Sequence, residues 1–251
     1  MRHRLSALAA AAAFAVLPAV AAADTHLIQK QHTDAMSLMG HDEPAKDETI
    51  ETWMSKTSVA RRGGSIDMIA RFDEKKLYVI NNADKAYSVI ALPFDFKSLL
   101  SPEQQPMAEQ MEKMMAVDVT VTPKDETKQV GKWATKRYDL TVTGMGMKMD
   151  IVNWVSKDVG VDRNTYKEFI GSMANLQMRS DWMKKLAEID GYPVEQDMTM
   201  TIMGKPIRSH SELVSVDERA APAGTYEPPA GYTERKYDPM KAMQAGRGSA
   251  H

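Results

Sequence analysis

The chain has no cysteine. That excludes disulfide staples, thiolate metal sites, a thiol nucleophile and a lipid-modified cysteine as an anchor. A domain lacking such staples must stand on its hydrophobic core. A basic excess is missing too: 32 Lys and Arg face 34 Asp and Glu. The formal charge of −2 argues against a nucleic-acid partner. Phenylalanine is scarce, with five residues in 251, whereas methionine reaches 20. After residue 23 no stretch approaches the roughly 18 uninterrupted apolar residues that a membrane-spanning helix needs.

The one long apolar run lies at the start. "MRHRLSALAAAAAFAVLPAVAAA", residues 1–23, has Arg2 and Arg4 as a positive segment, an Ala-rich run from Leu5 to Val20, and small residues at 21–23. This is the layout of a secretory signal peptide, with cleavage expected near Ala23. Pro18 and the short run speak against a membrane span. Removal of Arg2 and Arg4 brings the formal charge to −4. The remainder, about 228 residues, is long enough to bury a single core. The expected localisation is periplasmic or secreted, and the protein is not expected to be integral to a membrane.

From Thr25 to Leu92 the text is strand-like. "THLIQKQH", "ETIETWMS", "SIDMIARFD", "KLYVIN" and "AYSVIAL" are separated by "GHDEPAKD", "RRGG", "DEKK" and "NNADK". Connections this short imply antiparallel pairing. Residues 101–116, "SPEQQPMAEQMEKMMA", read as a helix with Ser101 as N-cap, Pro102 at its first position and a stripe of Met107, Met111, Met114 and Met115. Strands resume with "VDVTVTP", "KWATKRYDLTVTG" and "MKMDIVNWVSK", with "KDETKQVGK" as a polar turn. A second helix is expected from Asp162 to Ile189, kinked near Ser180 and ended by Gly191 and Pro193. "VEQDMTMTIM" and "IRSHSELVSVD" close the domain around Gly204-Lys205-Pro206. The expected domain runs over residues 24–232, and residues 233–251 read as a disordered tail.

"TVTGMGMKMDIVNW", residues 141–154, places a methionine at every second position, and "DMTMTIMG" repeats the habit. On strands, Met145, Met147, Met149 and Ile151 share one face, as do Met198, Met200 and Ile202. Three readings fit. The methionines fill an ordinary core, or they line a hollow for a flexible apolar ligand, to which a thioether chain adapts well. Alternatively they hold copper(I), as soft ligands do, with His26, His32, Met36, Met39 and His41 as further donors.

Enzyme signatures are missing: there is no H-E-x-x-H, G-x-S-x-G or Walker loop, and "GMGMKM" lacks the third glycine of a dinucleotide fingerprint. Ser209-His210-Ser211 has no identifiable catalytic partner, and His210 is expected to face solvent. Arg61-Arg62-Gly63-Gly64 suits an anionic headgroup and a charged hairpin turn equally well. Neither a catalytic role nor a cofactor is expected.

Residues 50–93, from "IETWMSKTSVARRGG" to "YSVIALP", resemble a family of secreted bacterial proteins known only as a domain of unknown function. "DIVNWVSKDVGVD", "IDGYPVEQ" and "PAGTYEPPAGY" are similar to later elements of the same family. The resemblance implies an α+β fold like that of the periplasmic lipoprotein carriers LolA and LolB: a curled antiparallel sheet, or incomplete β-barrel, with helices covering its concave face. It supplies no catalytic or ligand residue. Joined to the methionine pattern, it implies a monomeric binding protein for a lipid or lipoprotein acyl chain. The expected pocket is lined by Met107, Met111, Met114, Met145, Met147, Met149, Ile151, Met198, Met200 and Ile202. A periplasmic methionine-rich copper protein and an interaction module without ligand are the alternatives.

Overall fold

The structure, a computed structural model, describes residues 23–38, 41–64, 66–94, 117–144, 147–176, 185–186, 188–202 and 204–237. The expected signal peptide and the expected helix over 101–116 lie outside the described residues.

The first half is a meander of β1 (Asp24–Thr33), β4 (Lys46–Met54), β5 (Ser58–Arg62), β6 (Asp67–Arg71), β7 (Lys76–Asn81) and β8 (Ala86–Ala91). A small ribbon of β2 (Met36–Leu38) and β3 (His41–Glu43) branches off between β1 and β4. The second half holds β9 (Asp118–Val130), β10 (Trp133–Gly144), β11 (Met147–Ser156), helix α1 (Arg163–Leu176), β12 (Tyr192–Ile202), β13 (Lys205–Arg219) and the short β14 (Thr233–Glu234). Twelve of these strands form one sheet in the order β14-β8-β7-β6-β5-β4-β1-β13-β12-β11-β10-β9. Every pairing is antiparallel except that of β14 with β8. The long return joins β1 to β13, so the two halves are stitched at the middle of the sheet.

The sheet is open and curled. Side chains of β9 and β10 at one end line the same hollow as side chains of β4 and β5, five to seven strands away. This is the expected unclosed antiparallel barrel. The expected covering by helices rests, among the described residues, on α1 and on the helical residues 185–186. Asp162 is its N-cap: Thr165 N donates to Asp162 Oδ1 at 2.8 Å. Tyr166, Phe169, Ile170 and Met173 then follow at helical spacing and pack against Met54, Val59, Leu77 and Ile90. Thr165 Oγ1 donates to Lys56 O at 2.8 Å and fixes the start of α1 on the β4–β5 turn.

On the outer face, Trp53, Ala60, Ile69 and Ile80 are covered by Ala221, Tyr226 and Tyr232 of the C-terminal segment. The β4–β8 half is thus buried on both faces, which is why its strands carry apolar residues in both alternation phases.

Several sequence expectations need correction. "KDETKQV" is not a turn but the second half of β9, and the chain reverses only at Gly131-Lys132. As an edge strand β9 exposes its polar side chains and pairs them across strands: Arg137 with Glu126 at 2.8 Å, and Lys128 with Glu195 at 2.7 Å. Arg61 and Arg62 belong to strand β5 rather than to the following turn. Of the long second helix, Arg163–Leu176 and residues 185–186 are helical; residues 177–184 and 187 lie outside the described residues. Gly191 does not cap a helix. It leads into β12 at φ +143°, where an added Cβ would sit 2.5 Å from Ser156 O. The packed chain also runs past residue 232: β14 extends the sheet, and Tyr237 meets Phe94 edge-on, with ring centroids 6.2 Å apart.

Candidate functional site

Alternation decides which side chains enter the hollow. On β1 the odd positions point inward, bringing Gln29 and Gln31; on β4 the even ones do, bringing Ile50, Thr52 and Met54. On β10 and β11 the inward set is Leu140, Val142, Ile151, Asn153 and Val155. With α1, Leu186 and residues 189–193 as the opposite wall, these side chains enclose a cavity of about 430 Å³.

Its two halves differ. The wall built on β9, β10 and β11 presents Val119, Leu140, Val142 and Ile151, closed from the other side by Leu186 and Ile189. The wall on β1, β4 and β5 presents Gln29, Gln31, Thr52 and Arg61. Between them one polar row crosses four strands in register: Asn153, Gln196, Ser211 and Gln31. Gln196 Nε2 donates to Asn153 Oδ1 at 2.8 Å, so the amides in the floor are partly satisfied by each other.

Two tyrosines sit where α1 meets β12. The Tyr166 and Tyr192 rings are 4.9 Å apart, and Tyr192 Oη donates to Gln29 Oε1 at 3.2 Å. Burial pushes the Tyr192 hydroxyl up to about 12, with Arg61 opposing the shift. Burial raises Tyr166 further, helped by Tyr192 and again opposed by Arg61. Both phenols are neutral donors at any physiological pH. At the mouth, Arg163 Nη1 lies 2.5 Å from Asp190 Oδ1, and Lys157 also pairs with Asp190. The Lys157 hydrogen bond and the Arg163 charge hold the Asp190 carboxyl below the usual carboxylate range.

Of the ten residues expected to form the pocket, Ile151 lines this cavity. Met149 and Met198 pack beside it, against the cluster of Tyr138, Leu140, Ile151 and Val155. Met200 and Ile202 stand opposite Met149 and Met147 on the same sheet face, farther from the cavity centre and half-buried. Met107, Met111, Met114 and Met145 lie outside the described residues. Among the described residues, the methionines that do line the cavity are Met54 and Met173. Sequence reading missed the polar floor because Gln29, Gln31, Asn153 and Gln196 come from strands far apart in the chain, and only register aligns them.

Of the histidines expected as copper donors, His26 and His32 face away from Met149 and Met198. His26 is buried on the outer face, stacked on Trp53 with centroids 4.1 Å apart. Arg219 Nη2 donates to its Nδ1 at 2.8 Å, which leaves Nε2 to donate to Glu51 Oε1 at 2.7 Å. His32 is bonded to Asp47 at 2.7 Å on that same face. Glu195, Asp197 and His210 place ligand atoms within 4.8 Å of one another, also on the outer face. There Lys128 already neutralises Glu195, and Asp197 is bonded to His210.

The sequence profile of one family matches residues 45–232, most of the chain. The chain belongs to the family described as a domain of unknown function, DUF4412. The match covers the sheet from the start of β4 together with α1, and so takes in nearly every cavity-lining residue except those of β1. Curated proteins offer no match to this DUF4412 chain. Among solved structures, one titled "Structure of PNGF-II in C2 space group" is similar at 9% identity and a TM-score of 0.42. The likeness covers 91% of this chain and 33% of that one, so this chain spans about a third of its length. A putative outer membrane lipoprotein-sorting protein domain from Vibrio parahaemolyticus is similar at 8% identity and a TM-score of 0.28, covering 78% and 85% of the two chains. Neither likeness is strong enough to carry an inference about what this chain does. No helix of the described residues is long and apolar enough to cross a membrane.

Proposed function

We propose that this protein is an exported, non-catalytic binding protein that holds the acyl chain of a lipid or lipoprotein between its curled sheet and α1. The observation that carries the reading is the cavity of about 430 Å³, which lies within the range of about 300–1,000 Å³ typical of ligand sites. Its deep wall is hydrocarbon from Leu140, Val142, Ile151, Leu186 and Ile189. A methylene chain moved from water onto such a wall gains about 0.8 kcal/mol per buried CH₂. A dozen methylenes therefore suffice for firm binding without a specific polar contact. The polar groups on the described lining are amides, hydroxyls, the Arg61 guanidinium and, at the mouth, Arg163, Lys167 and Asp190, a set that suits positioning of a ligand. The reading of the first 23 residues as an export signal supports this, because an exported protein would meet lipids and lipoproteins in transit between membranes. It acts as a monomer and needs neither metal nor nucleic acid.

Native mass spectrometry of the processed protein, purified gently from the exported fraction, tests this. Extra mass of a few hundred daltons that extracts into organic solvent supports the carrier. Copper increments, lost when Met147 and Met149 become leucine, would replace it with the metal reading. A bare mass, together with no uptake of added fatty acid, would leave a solid interaction module.

A further inference from the structure

Arg61 and Arg62 are neighbours on β5, and strand alternation sends them to opposite faces. Arg62 turns outward, where its Nη2 donates to Thr225 O at 2.8 Å and lies near Gly224 O and Glu227 O. Arg61 turns inward and lines the cavity, half-buried. It makes no hydrogen bond or ion pair with any described residue. A guanidinium stays charged at every accessible pH, so it cannot escape this position by losing a proton. A charge drawn out of water without a partner is unfavourable, and folded proteins rarely leave one so.

The surroundings are donors and neutral groups. Thr52 stands directly opposite Arg61 in the β4–β5 register and is buried. The Tyr166 hydroxyl has no hydrogen-bond partner among the described residues. Arg61 is close enough for its charge to bear on both Tyr166 and Tyr192. Among the described lining residues the one carboxylate, Asp190, is at the mouth and engaged by Arg163 and Lys157. The hydrocarbon wall lies across the cavity from Arg61. One end of the hollow thus offers the Arg61 cation with phenol and hydroxyl donors beside Ile50 and Met54, the other a wall of Leu140, Val142 and Ile151, and the remaining cations of the lining, Arg163 and Lys167, stand on exposed positions of α1.

We propose that Arg61 is a headgroup clamp: it pairs with the carboxylate or phosphate of a single-chain anionic amphiphile whose tail lies against Leu140, Val142, Ile151 and Leu186. The inference rests on the reading of the cavity as an acyl-chain site and adds the charge and the polarity of its ligand. A cavity of about 430 Å³ is near the small end for ligand sites, which favours one chain over a multi-chain lipid. The guanidinium fork suits either oxyacid, binding two oxygens at once.

The experiment is displacement of the neutral probe N-phenyl-1-naphthylamine from the signal-processed protein by dodecanoate, dodecyl phosphate and dodecanol. These share one tail and differ in head. Wild type is expected to bind at least one anion roughly tenfold or more tighter than the alcohol, as a charge-assisted bidentate pair provides. The anion preferred identifies the head. Arg61→Gln should bring anion and alcohol together while leaving dodecanol affinity within about twofold, and Arg61→Lys should keep part of the preference. Equal binding of anions and alcohol by wild type, or a preference that survives Arg61→Gln, overturns the clamp and leaves the acyl site standing. Failure of all three amphiphiles to bind overturns both. A second readout needs no ligand. Because the half-buried charge has no partner among the described residues, Arg61→Met should raise the Tm of the delipidated protein, and dodecanoate should raise the Tm of wild type but not of this variant. A merely structural arginine would give a lower Tm on replacement.

Discussion

Gln196 donates to Asn153 across adjacent strands of the cavity floor, Nε2 to Oδ1, at 2.8 Å. Asn153 is 4% exposed, so water does not replace this partner if it is removed. Gln196→Leu alone should therefore destabilise the fold by about 1–3 kcal/mol, because one buried amide is left unsatisfied. The double variant Asn153→Leu with Gln196→Leu should recover most of that loss. Urea denaturation of the two singles and the double, read as a double-mutant cycle, measures it. Additive losses would mean the bond contributes nothing.

Filling the hollow tests the acyl reading by shape rather than charge. Ile151→Trp adds volume at the centre of the hydrocarbon wall and should abolish probe and fatty-acid uptake. Overpacking of this kind costs about 1–3 kcal/mol, which a domain of this size tolerates. Met147→Leu and Met200→Leu lie outside the lining and keep volume, so uptake should stay within about twofold. Titration with N-phenyl-1-naphthylamine separates these outcomes. Undiminished uptake by Ile151→Trp would move the ligand elsewhere.

The start of α1 has a pH signature. The backbone N–H of Thr165 donates to the Asp162 carboxylate and holds it below the usual carboxylate range. A depressed carboxylate stabilises the fold at pH above its unfolded value of about 3.9, and the gain is lost as pH falls through the lowered folded value. Asp162→Ala should cost about 0.5–2 kcal/mol at neutral pH, the usual worth of an N-cap. The gap in Tm between wild type and variant should be constant above about pH 5 and close in acid. His32 runs in the opposite sense. Its hydrogen bond to Asp47 raises it, so its contribution is full below pH about 6.5 and fades as pH rises through the raised value.

Gly191 is demanded by space as well as by torsion. At φ +143° a Cβ would stand 2.5 Å from Ser156 O and 2.7 Å from Val155 Cγ1. Gly191→Ala should lower stability by more than about 1 kcal/mol, and thermal melts will read the drop. Gly204, at φ +78° with no atom within 4 Å of its built Cβ, carries strain without crowding, so its alanine variant should fall less.

These positions show which features sequence reading reaches. Alternation made β7, β8, β11 and β12 visible, because each carries enough β-branched and apolar residues to mark one face. β5 and the second half of β9 stayed hidden. "SVARR" ends in two arginines that look like a turn, and "KDETKQV" is a polar edge strand held by cross-strand ion pairs and not by apolar burial. The methionine ladders were legible, yet the hollow is centred nearer Asn153, where Gln196, Ser211 and Gln31 meet. That row exists only through the pairing of β11, β12, β13 and β1, and nothing local in the chain announces it.

The two arginines of β5 close the matter of face. If Arg62 anchors the C-terminal segment through Thr225 O, Arg62→Ala should free residues 222–227 and speed their amide exchange by tenfold or so, the effect of losing a charge-assisted bond. Ligand uptake should not move, because the sheet lies between Arg62 and the cavity. Arg61→Ala should show the reverse: altered preference among amphiphiles, with the exchange of 222–227 unchanged. Hydrogen exchange and probe displacement on the same two variants give a two-by-two result. Uptake that changed in Arg62→Ala while exchange at 222–227 changed in Arg61→Ala would mean that β5 is threaded in the opposite phase. Every inward residue assigned from it, Thr52 included through its register with Arg61, would then move to the outer face.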